Sequence, residues 1–144
     1  MDSAANKQTV TRFNIEVIQQ GRREAFEALM APDFVNWSAP PQARGAEGMW
    51  NTFENVLRPA LSDLKVVIHE QLCEGDKVTT RKSITGVHSG SLMGIEPTGR
   101  AVSIDAIDIV RVTDGQYREH WGVNNLAAVV GALRIPPSPD RSGT

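Results

Sequence analysis

The spacing of apolar residues changes once along this chain of 144 residues, near Leu61. Before that residue they recur at intervals of three and four, which indicates amphipathic helices. After it they alternate or run continuously between turn residues, which is typical of strands. Helices followed by strands, without regular alternation of the two, predict an α+β fold with an antiparallel sheet.

The helical part divides at glycine and proline residues. The predicted helices cover 3–20, 22–30 and 47–57. Gly21 ends the first, Pro32 ends the second and Pro59 closes the third, because glycine favours helix ends and proline cannot continue a helix. Residues 34–37 are then predicted to be extended.

Strands are predicted over 64–73, 77–85, 101–112 and 116–124. A curved antiparallel sheet wrapped around the N-terminal helices would enclose a pocket, the usual place for a small ligand. The glycine-rich segment 86–100 is predicted to be a mobile loop at the pocket entrance. A short helix over 126–133 completes one domain, 1–135, and a flexible proline-rich tail follows over 136–144.

Composition excludes several classes of partner. Fifteen Lys and Arg residues against 17 Asp and Glu give a net charge of −2 without a basic run, which argues against nucleic-acid binding. No apolar stretch approaches the ~20 residues of a membrane span, and the N-terminus lacks the hydrophobic region of a signal peptide. Cys73 has no cysteine partner. We therefore expect a cytoplasmic protein that binds neither nucleic acid nor membranes.

Several motifs that bind cofactors or metals are absent from the sequence. The glycines within 86–99 lack the spacing of a phosphate cradle, and no serine lies in a nucleophile elbow. His69, His88 and His120 form no HxxxH pair. We expect neither a metal ion nor an organic cofactor.

The last hairpin holds the strongest candidate for chemistry. If its loop has three residues and ends at Gly115, Asp108 lies directly opposite His120. A carboxylate beside an imidazole is an acid/base pair at a cavity wall. A two-residue turn would instead place Ile109 opposite His120. The competing interpretation is a polar pair that only holds the two strands in register. The same face is predicted to carry Ala106, Val110, Gly122 and Asn124.

Other residues are candidates for contact with a substrate. The Asn36 amide can bind a carbonyl or enolate oxygen, and Trp37 and Trp50 can stack on a flat ligand. His88 lies where a long strand runs into the glycine-rich loop, at the pocket mouth or in solvent. The predicted substrate-binding residues are Asn36, Trp37, Trp50, His88, Gly122 and Asn124.

Three segments together resemble the SnoaL-like polyketide and ester cyclase family of the nuclear-transport-factor-2-like superfamily. They are APDFVN at 31–36, GVHSGSLMGIEPTGR at 86–100, and IDIVRV with DG and EHW within 107–121. The resemblance spans roughly residues 10–133. It implies a cone-shaped α+β barrel, with a curved antiparallel sheet closed by N-terminal helices, and commonly a homodimer.

The resemblance also implies a reaction. The characterised aromatic polyketide cyclases close a ring by intramolecular aldol condensation without metal or organic cofactor. Their general acid/base is an aspartate near the end of the last strand, where this chain has Gly122. Asn36 matches the family asparagine, and Trp37 stands where many relatives have histidine. We therefore expect Asp108 and His120 to share the proton transfer, in cyclisation or isomerisation of a carbonyl-containing, polyketide-like and mostly apolar substrate.

Two alternatives to a cyclase or isomerase remain open from the sequence. An epoxide-opening hydrolase uses two carboxylates with an arginine between them, whereas Asp105 and Asp108 are three apart and so face opposite sides of a strand. A non-catalytic protein that holds a small ligand is the other alternative, because a fold does not determine function. In each case a homodimer through the sheet is predicted, because the strands over 65–73 and 77–84 carry apolar residues on both faces.

Overall fold

A computed structural model describes residues 2–136, so positions 137–144 of the predicted tail lie outside the described residues. The helices are α1 (Ser3–Arg12), α2 (Arg23–Leu29), α3 (Ala46–Asn51), α4 (Arg58–Ala60) and α5 (Leu126–Leu133). π-Helical segments cover Phe13–Gln19 and Thr52–Leu57, and a 3-10 turn covers Pro41–Ala43. The strands are β1 (Met30–Asn36), β2 (Leu61–Glu74), β3 (Lys77–His88), β4 (Ala101–Thr113) and β5 (Gln116–Asn124).

The first helix continues without interruption from α1 through the π-helical segment Phe13–Gln19. The Asp2 side chain caps it by accepting the Ala5 N–H at 3.1 Å. Gly21, with φ of 70°, ends it as predicted. Its apolar stripe packs against the sheet, where the Phe13 ring stacks on Tyr117 with centroids 4.3 Å apart.

The second helix ends at Leu29, one residue before the predicted end, and the extended segment starts at Met30. Pro32 therefore lies inside β1, where the sequence predicts a helix stop. β1 is an edge strand. A proline there need not cost a ladder hydrogen bond, because one side of an edge strand has no neighbour. The third helix, in contrast, runs past its predicted end, through α4 to Ala60.

The five strands form one curved, unclosed sheet in the order β1-β5-β4-β3-β2. Three neighbouring pairs are antiparallel, as predicted, and β1 pairs with β5 in parallel. The helices pack on the concave face, which confirms the α+β cone expected from the sequence. None of the helices within residues 2–136 has the length and apolarity needed to cross a membrane.

The β4–β5 hairpin differs from the predicted register. Thr113 pairs with Gln116, so the turn has two residues, and Asp114 and Gly115 adopt positive φ angles of 54° and 72°. A bulge follows, between the pairs Val112–Tyr117 and Arg111–Glu119. A two-residue turn alone would have turned the His120 side chain to the opposite face of the sheet from Asp108. The extra residue in the bulge returns His120 to the same face as Asp108. His120 is thus opposite Val110 and Asp108 opposite Gly122, with both polar side chains on the concave face.

Candidate active site

A cavity of about 310 Å³ lies between the concave face of the sheet and the continuous helical segment 46–60, which comprises α3, the second π-helical segment and α4. Its helical wall includes Met49, Phe53 and Leu57, and Ile84 and Ile104 line it from the sheet. The cavity is therefore mostly apolar. Its polar wall is concentrated on the sheet side and includes Asn36, Lys82, Asp108, His120 and Asn124.

Asp108 and His120 are in contact at this wall. The His120 Nε2 atom lies 3.3 Å from Asp108 Oδ2, and both side chains are largely buried. They lie diagonally across β4 and β5, because the bulge shifts their register while keeping them on one face. The contact joins an imidazole nitrogen to a carboxylate oxygen at the cavity wall.

Asn36 fixes the orientation of the His120 ring. Its Oδ1 atom accepts the Ser38 backbone N–H at 3.1 Å and lies 2.8 Å from His120 Nδ1. Because a backbone N–H only donates, this atom is the amide oxygen, and Nδ1 must carry the proton. His120 can then donate to Asp108 through Nε2 only in its doubly protonated form. The Asn36 Nδ2 group has no acceptor among the described residues.

Lys82 is a further member of the cluster, which the sequence reasoning missed. Its side chain is only 7% exposed, and Nζ lies 3.3 Å from Asp108 Oδ2 and 2.7 Å from Asn14 Oδ1. The available signal was strand periodicity, because Lys82 shares the inward face of β3 with Thr80 and Ile84. Asn14 gave a similar signal, as an amide within the apolar stripe of the first helix.

The charge of Asp108 follows from these contacts. Burial raises the pKa of its carboxyl group, but the Lys82 ammonium and the His120 ring together outweigh burial and hold the pKa below its usual range. Asp108 is therefore ionised near neutral pH. Its Oδ1 atom is buried without a hydrogen-bond partner among the described residues, whereas Lys82 Nζ and His120 Nε2 each lie 3.3 Å from Oδ2. Burial and the Asp108 charge raise the pKa of Tyr117 well above its usual value.

The absence of a side chain at Gly122 lets the His120 ring pack closely against the backbone of β5. A Cβ atom built there would lie 3.0 Å from His120 Cε1 and 3.2 Å from both Nε2 and Asp108 Cβ. Ser38 holds the glycine backbone, since its Oγ accepts the Gly122 N–H at 2.6 Å and donates to the Gly122 carbonyl at 3.1 Å. Of the predicted binding residues, Asn36, Gly122 and Asn124 line the cavity.

The other three predicted binding residues do not line it. Trp37 follows Asn36 on the opposite face, is 44% exposed, and donates to Glu119 at 2.8 Å. Trp50 turns toward the second helix and packs on Phe26 with centroids 5.0 Å apart. These two tryptophans therefore do not line this cavity, because strand alternation and helix rotation direct them elsewhere.

His88 is fully buried under the loop that follows β3. Its side chain therefore lies neither at the pocket mouth nor in solvent. Its Nδ1 atom accepts the Thr98 backbone N–H at 3.2 Å. The loop itself packs on Ala60, whose carbonyl accepts the Ser89 and Gly90 N–H groups at 3.0 Å. No residue of 86–100 lines the cavity. The predicted position of this loop at the cavity entrance is therefore wrong.

A second, more open depression of about 410 Å³ lies on the convex face of the sheet. Within it Ser83 Oγ donates to Asp105 Oδ1 at 2.7 Å and lies 2.8 Å from His69 Nε2. Since the hydroxyl proton is given to Asp105, His69 donates to Ser83 and is not placed to remove that proton. The depression lacks a nucleophile–base arrangement, and the concave cavity is the candidate active site.

A cone of sheet and helices around an apolar cavity, with ionisable groups on its sheet wall, defines a small α+β protein built around a ligand site. The SnoaL-like polyketide cyclase family matches residues 8–133, and the chain belongs to that family.

Individual relatives agree with this membership. Aklanonic acid methyl ester cyclase DauD of Streptomyces sp. strain C5 is 26% identical over 138 residues, covering 91% of this chain and 84% of DauD. TsrD of Streptomyces laurentii is 26% identical with a TM-score of 0.80, covering 92% of this chain and 97% of TsrD. A protein of Jannaschia sp. CCS1 described as a SnoaL-like polyketide cyclase is 30% identical with a TM-score of 0.79, covering 94% and 95% of the two chains.

Proposed function

We propose that this chain is a cofactor-free acid/base enzyme that cyclises or isomerises a carbonyl-containing, polyketide-like substrate. The observation that carries the proposal is the contact between His120 and the ionised Asp108 at the wall of a mostly apolar cavity. Membership in the SnoaL-like family supports the reaction class.

His120 is the proposed base. With Nδ1–H bound to Asn36, the neutral ring presents an unprotonated Nε2 at the cavity wall. Nε2 takes a proton from a carbon beside a substrate carbonyl, and the C–H electron pair becomes an enolate. The Asp108 carboxylate, whose Oδ2 atom lies 3.3 Å from Nε2, then stabilises the positive charge of the imidazolium. Because this charge develops only as the proton arrives, the carboxylate stabilises the transition state more than the bound substrate.

Ring closure completes the proposed reaction without another reagent. The enolate carbon attacks a second carbonyl of the same molecule, a C–C bond forms, and the resulting alkoxide takes the proton back from His120. The free Asn36 Nδ2 group is the proposed donor to the enolate oxygen. The apolar wall that includes Met49 and Phe53 accommodates the carbon skeleton and strengthens these polar interactions by excluding water.

Deuterium exchange at the α carbon of 1-tetralone in D₂O, followed by proton NMR, tests proton abstraction without the natural substrate. The variant His120→Ala should exchange about 100-fold more slowly than the parent protein. His69→Ala is the matched control, since His69 lies on the convex face. Exchange by His120→Ala at the parent rate would reject the enzyme and favour a non-catalytic ligand-binding protein.

The hydrolase alternative loses support from the geometry. Asp105 is exposed on the convex face, and Asp108 is the only carboxylate among the described residues that line the cavity. A water-activating mechanism with two carboxylates around an arginine has no counterpart among these residues.

We also propose that two copies associate through the convex face of the sheet. Five apolar side chains on β2, β4 and β5 are 37–71% exposed: Val67, Leu72, Ile107, Ile109 and Val123. Such a patch favours burial against a partner. Light scattering at micromolar concentration should give twice the mass of the chain, and Ile107→Asp should reduce it to one chain. A parent mass near 15.7 kDa would refute the dimer.

A cytoplasmic location also belongs to this proposal, on the basis of the single cysteine. Fractionation of cells that express a tagged chain tests it, and recovery in the medium or membrane fraction would contradict it.

A further inference from the structure

We propose that Lys82 is a positioning residue of this site: its ammonium group shares one Asp108 oxygen with His120 and thereby sets the pH at which His120 becomes the neutral base. The inference rests on the proposed proton transfer by His120. It assigns a function to a buried lysine that the proton-transfer steps themselves do not use.

The Lys82 and His120 side chains both contact the same oxygen of the Asp108 carboxylate. Lys82 Nζ and His120 Nε2 each lie 3.3 Å from Asp108 Oδ2, so they are separated by at most twice that distance. The other oxygen, Oδ1, has no partner among the described residues. The positive charge of Lys82 therefore acts on Oδ2, the same carboxylate oxygen that stabilises the His120 imidazolium.

The Lys82 ammonium is fixed in place. Asn14 Oδ1 accepts from Nζ at 2.7 Å, and Asn14 Nδ2 in turn donates to the Val10 carbonyl at 2.8 Å, which identifies the amide oxygen. The Lys82 side chain is buried, so solvent screens its charge weakly. A buried lysine–aspartate pair is weak evidence for stability, because the desolvation of both charges offsets their attraction.

The two charges near His120 act in opposite directions. Ionised Asp108 favours the imidazolium, whereas the Lys82 ammonium opposes it by like-charge repulsion and by neutralising the carboxylate. Without Lys82, an uncompensated carboxylate would keep the ring protonated to higher pH and block its use as a base. Lys82 therefore favours the neutral imidazole over the imidazolium.

The other groups around the ring do not replace this charge. Asn36 on β1 and Asn14 on the first helix are neutral, and the buried Tyr117 phenol stays protonated. On the convex face Glu119 pairs with Arg111 at 2.6 Å, which leaves little net charge behind β5. Among the described residues, Lys82 is the only lysine or arginine that contacts Asp108.

The direct test is an NMR titration of the His120 ring in the full chain without substrate, with the resonance assigned through His120→Gln. In Lys82→Met the midpoint should rise by about one pH unit or more. Lys82→Arg, which keeps the charge, should stay near the parent midpoint. Lys65→Met is the matched control, because Lys65 is exposed on β2. An unchanged or lower midpoint in Lys82→Met would overturn the proposal.

The pH profile of α-proton exchange gives a second readout. Loss of the charge should move the acidic limb to higher pH by the same amount and leave the high-pH plateau nearly intact. A purely structural lysine would lower the plateau without moving the limb, and that result also overturns the proposal. If Lys82→Met does not fold by circular dichroism, Lys82→Gln, which keeps an N–H donor without charge, takes its place in both measurements.

The two readouts separate this inference from the proposed function. If the parent protein exchanges no protons from 1-tetralone but the His120 midpoint moves in Lys82→Met, the enzyme proposal fails while the electrostatic role of Lys82 stands. If exchange depends on His120 but neither the midpoint nor the limb moves, the enzyme stands and the role of Lys82 is refuted.

Discussion

Substitution of Gly122 by alanine tests the close packing of the His120 ring against β5, on which the proposed proton transfer depends. The added Cβ atom would lie 3.0 Å from His120 Cε1 and 3.2 Å from both Nε2 and Asp108 Cβ. These separations are shorter than ordinary carbon contacts of about 3.5 to 4 Å. The ring must therefore move by a few tenths of an ångström, and the approach of a substrate to Nε2 becomes obstructed.

The size of the effect follows from those contacts. Insertion of one carbon into a packed region costs about 1 to 3 kcal/mol, and we expect the lower end because the glycine faces a cavity. A displacement of about 1 Å at a reacting group costs about 100-fold in rate. A shift of a few tenths, together with steric obstruction, should lower the exchange rate by about 10-fold.

Deuterium exchange of 1-tetralone and urea denaturation measure the two effects together. Gly131→Ala is the matched control, since a Cβ there contacts nothing within 4 Å and alanine favours the helix α5. In a His120→Gln background, Gly122→Ala should have little further effect on exchange, because the group it obstructs is gone. If Gly122→Ala exchanges at the parent rate with parent stability, the proposed dependence of proton transfer on the position of the His120 ring is refuted.

Three further outcomes are expected. The free energy of unfolding should fall as the pH drops below about 4, the ordinary value for aspartate, because folding lowers the pKa of Asp108 and the resulting stability is lost as this group becomes protonated. In Asp108→Asn that part of the acid dependence should disappear from urea titrations, and its survival would contradict the ionised pair. Gly90→Ala should lower the thermal unfolding temperature, because its Cβ would collide with the Pro59 carbonyl oxygen, whereas Gly75→Ala meets no atom and strains only a turn. Backbone amides of 89–100 should exchange with deuterium faster than those of the β4–β5 hairpin, since few of them join a strand ladder, and equal protection would contradict the predicted mobility.

Residue periodicity was sufficient for the main features of the fold. The change near Leu61 separates the helical half from the long strands, and the stripe through Val10, Phe13 and Val17 is buried as its spacing predicts. The face of a strand follows from parity alone. Asp108 and His120 were therefore assigned to one face, although the turn used to align them was wrong.

Register depends on local geometry that periodicity does not contain. The Asp114-Gly115 turn has two residues, and the bulge near Arg118 compensates for the lost third residue. No spacing in the sequence marks that bulge. The predicted three-residue loop therefore places Asp108 and His120 on the correct face but directly opposite each other. In the structure they are in diagonal contact instead.

Partners that are distant in sequence account for the rest of what was missed. Lys82 on a strand is ordinarily a solvated residue, and its burial depends on Asn14, 68 positions away. The same holds for Trp50, whose ring direction is decided by contact with Phe26 and Arg23 on another helix. Only tertiary packing determines such contacts.

The walls of the cavity have separate origins in the chain. The charged groups of the cluster, Lys82, Asp108 and His120, belong to strands whose register is held by ladder hydrogen bonds, whereas Met49, Phe53 and Leu57 come from one helical segment. Volume-conserving apolar substitutions in a helix usually cost less than about 1.5 kcal/mol. The apolar wall of the cavity can therefore change while the contact between Asp108 and His120 is retained. If the proposed function holds, a library confined to that helical segment should alter substrate preference with little effect on the proton transfer.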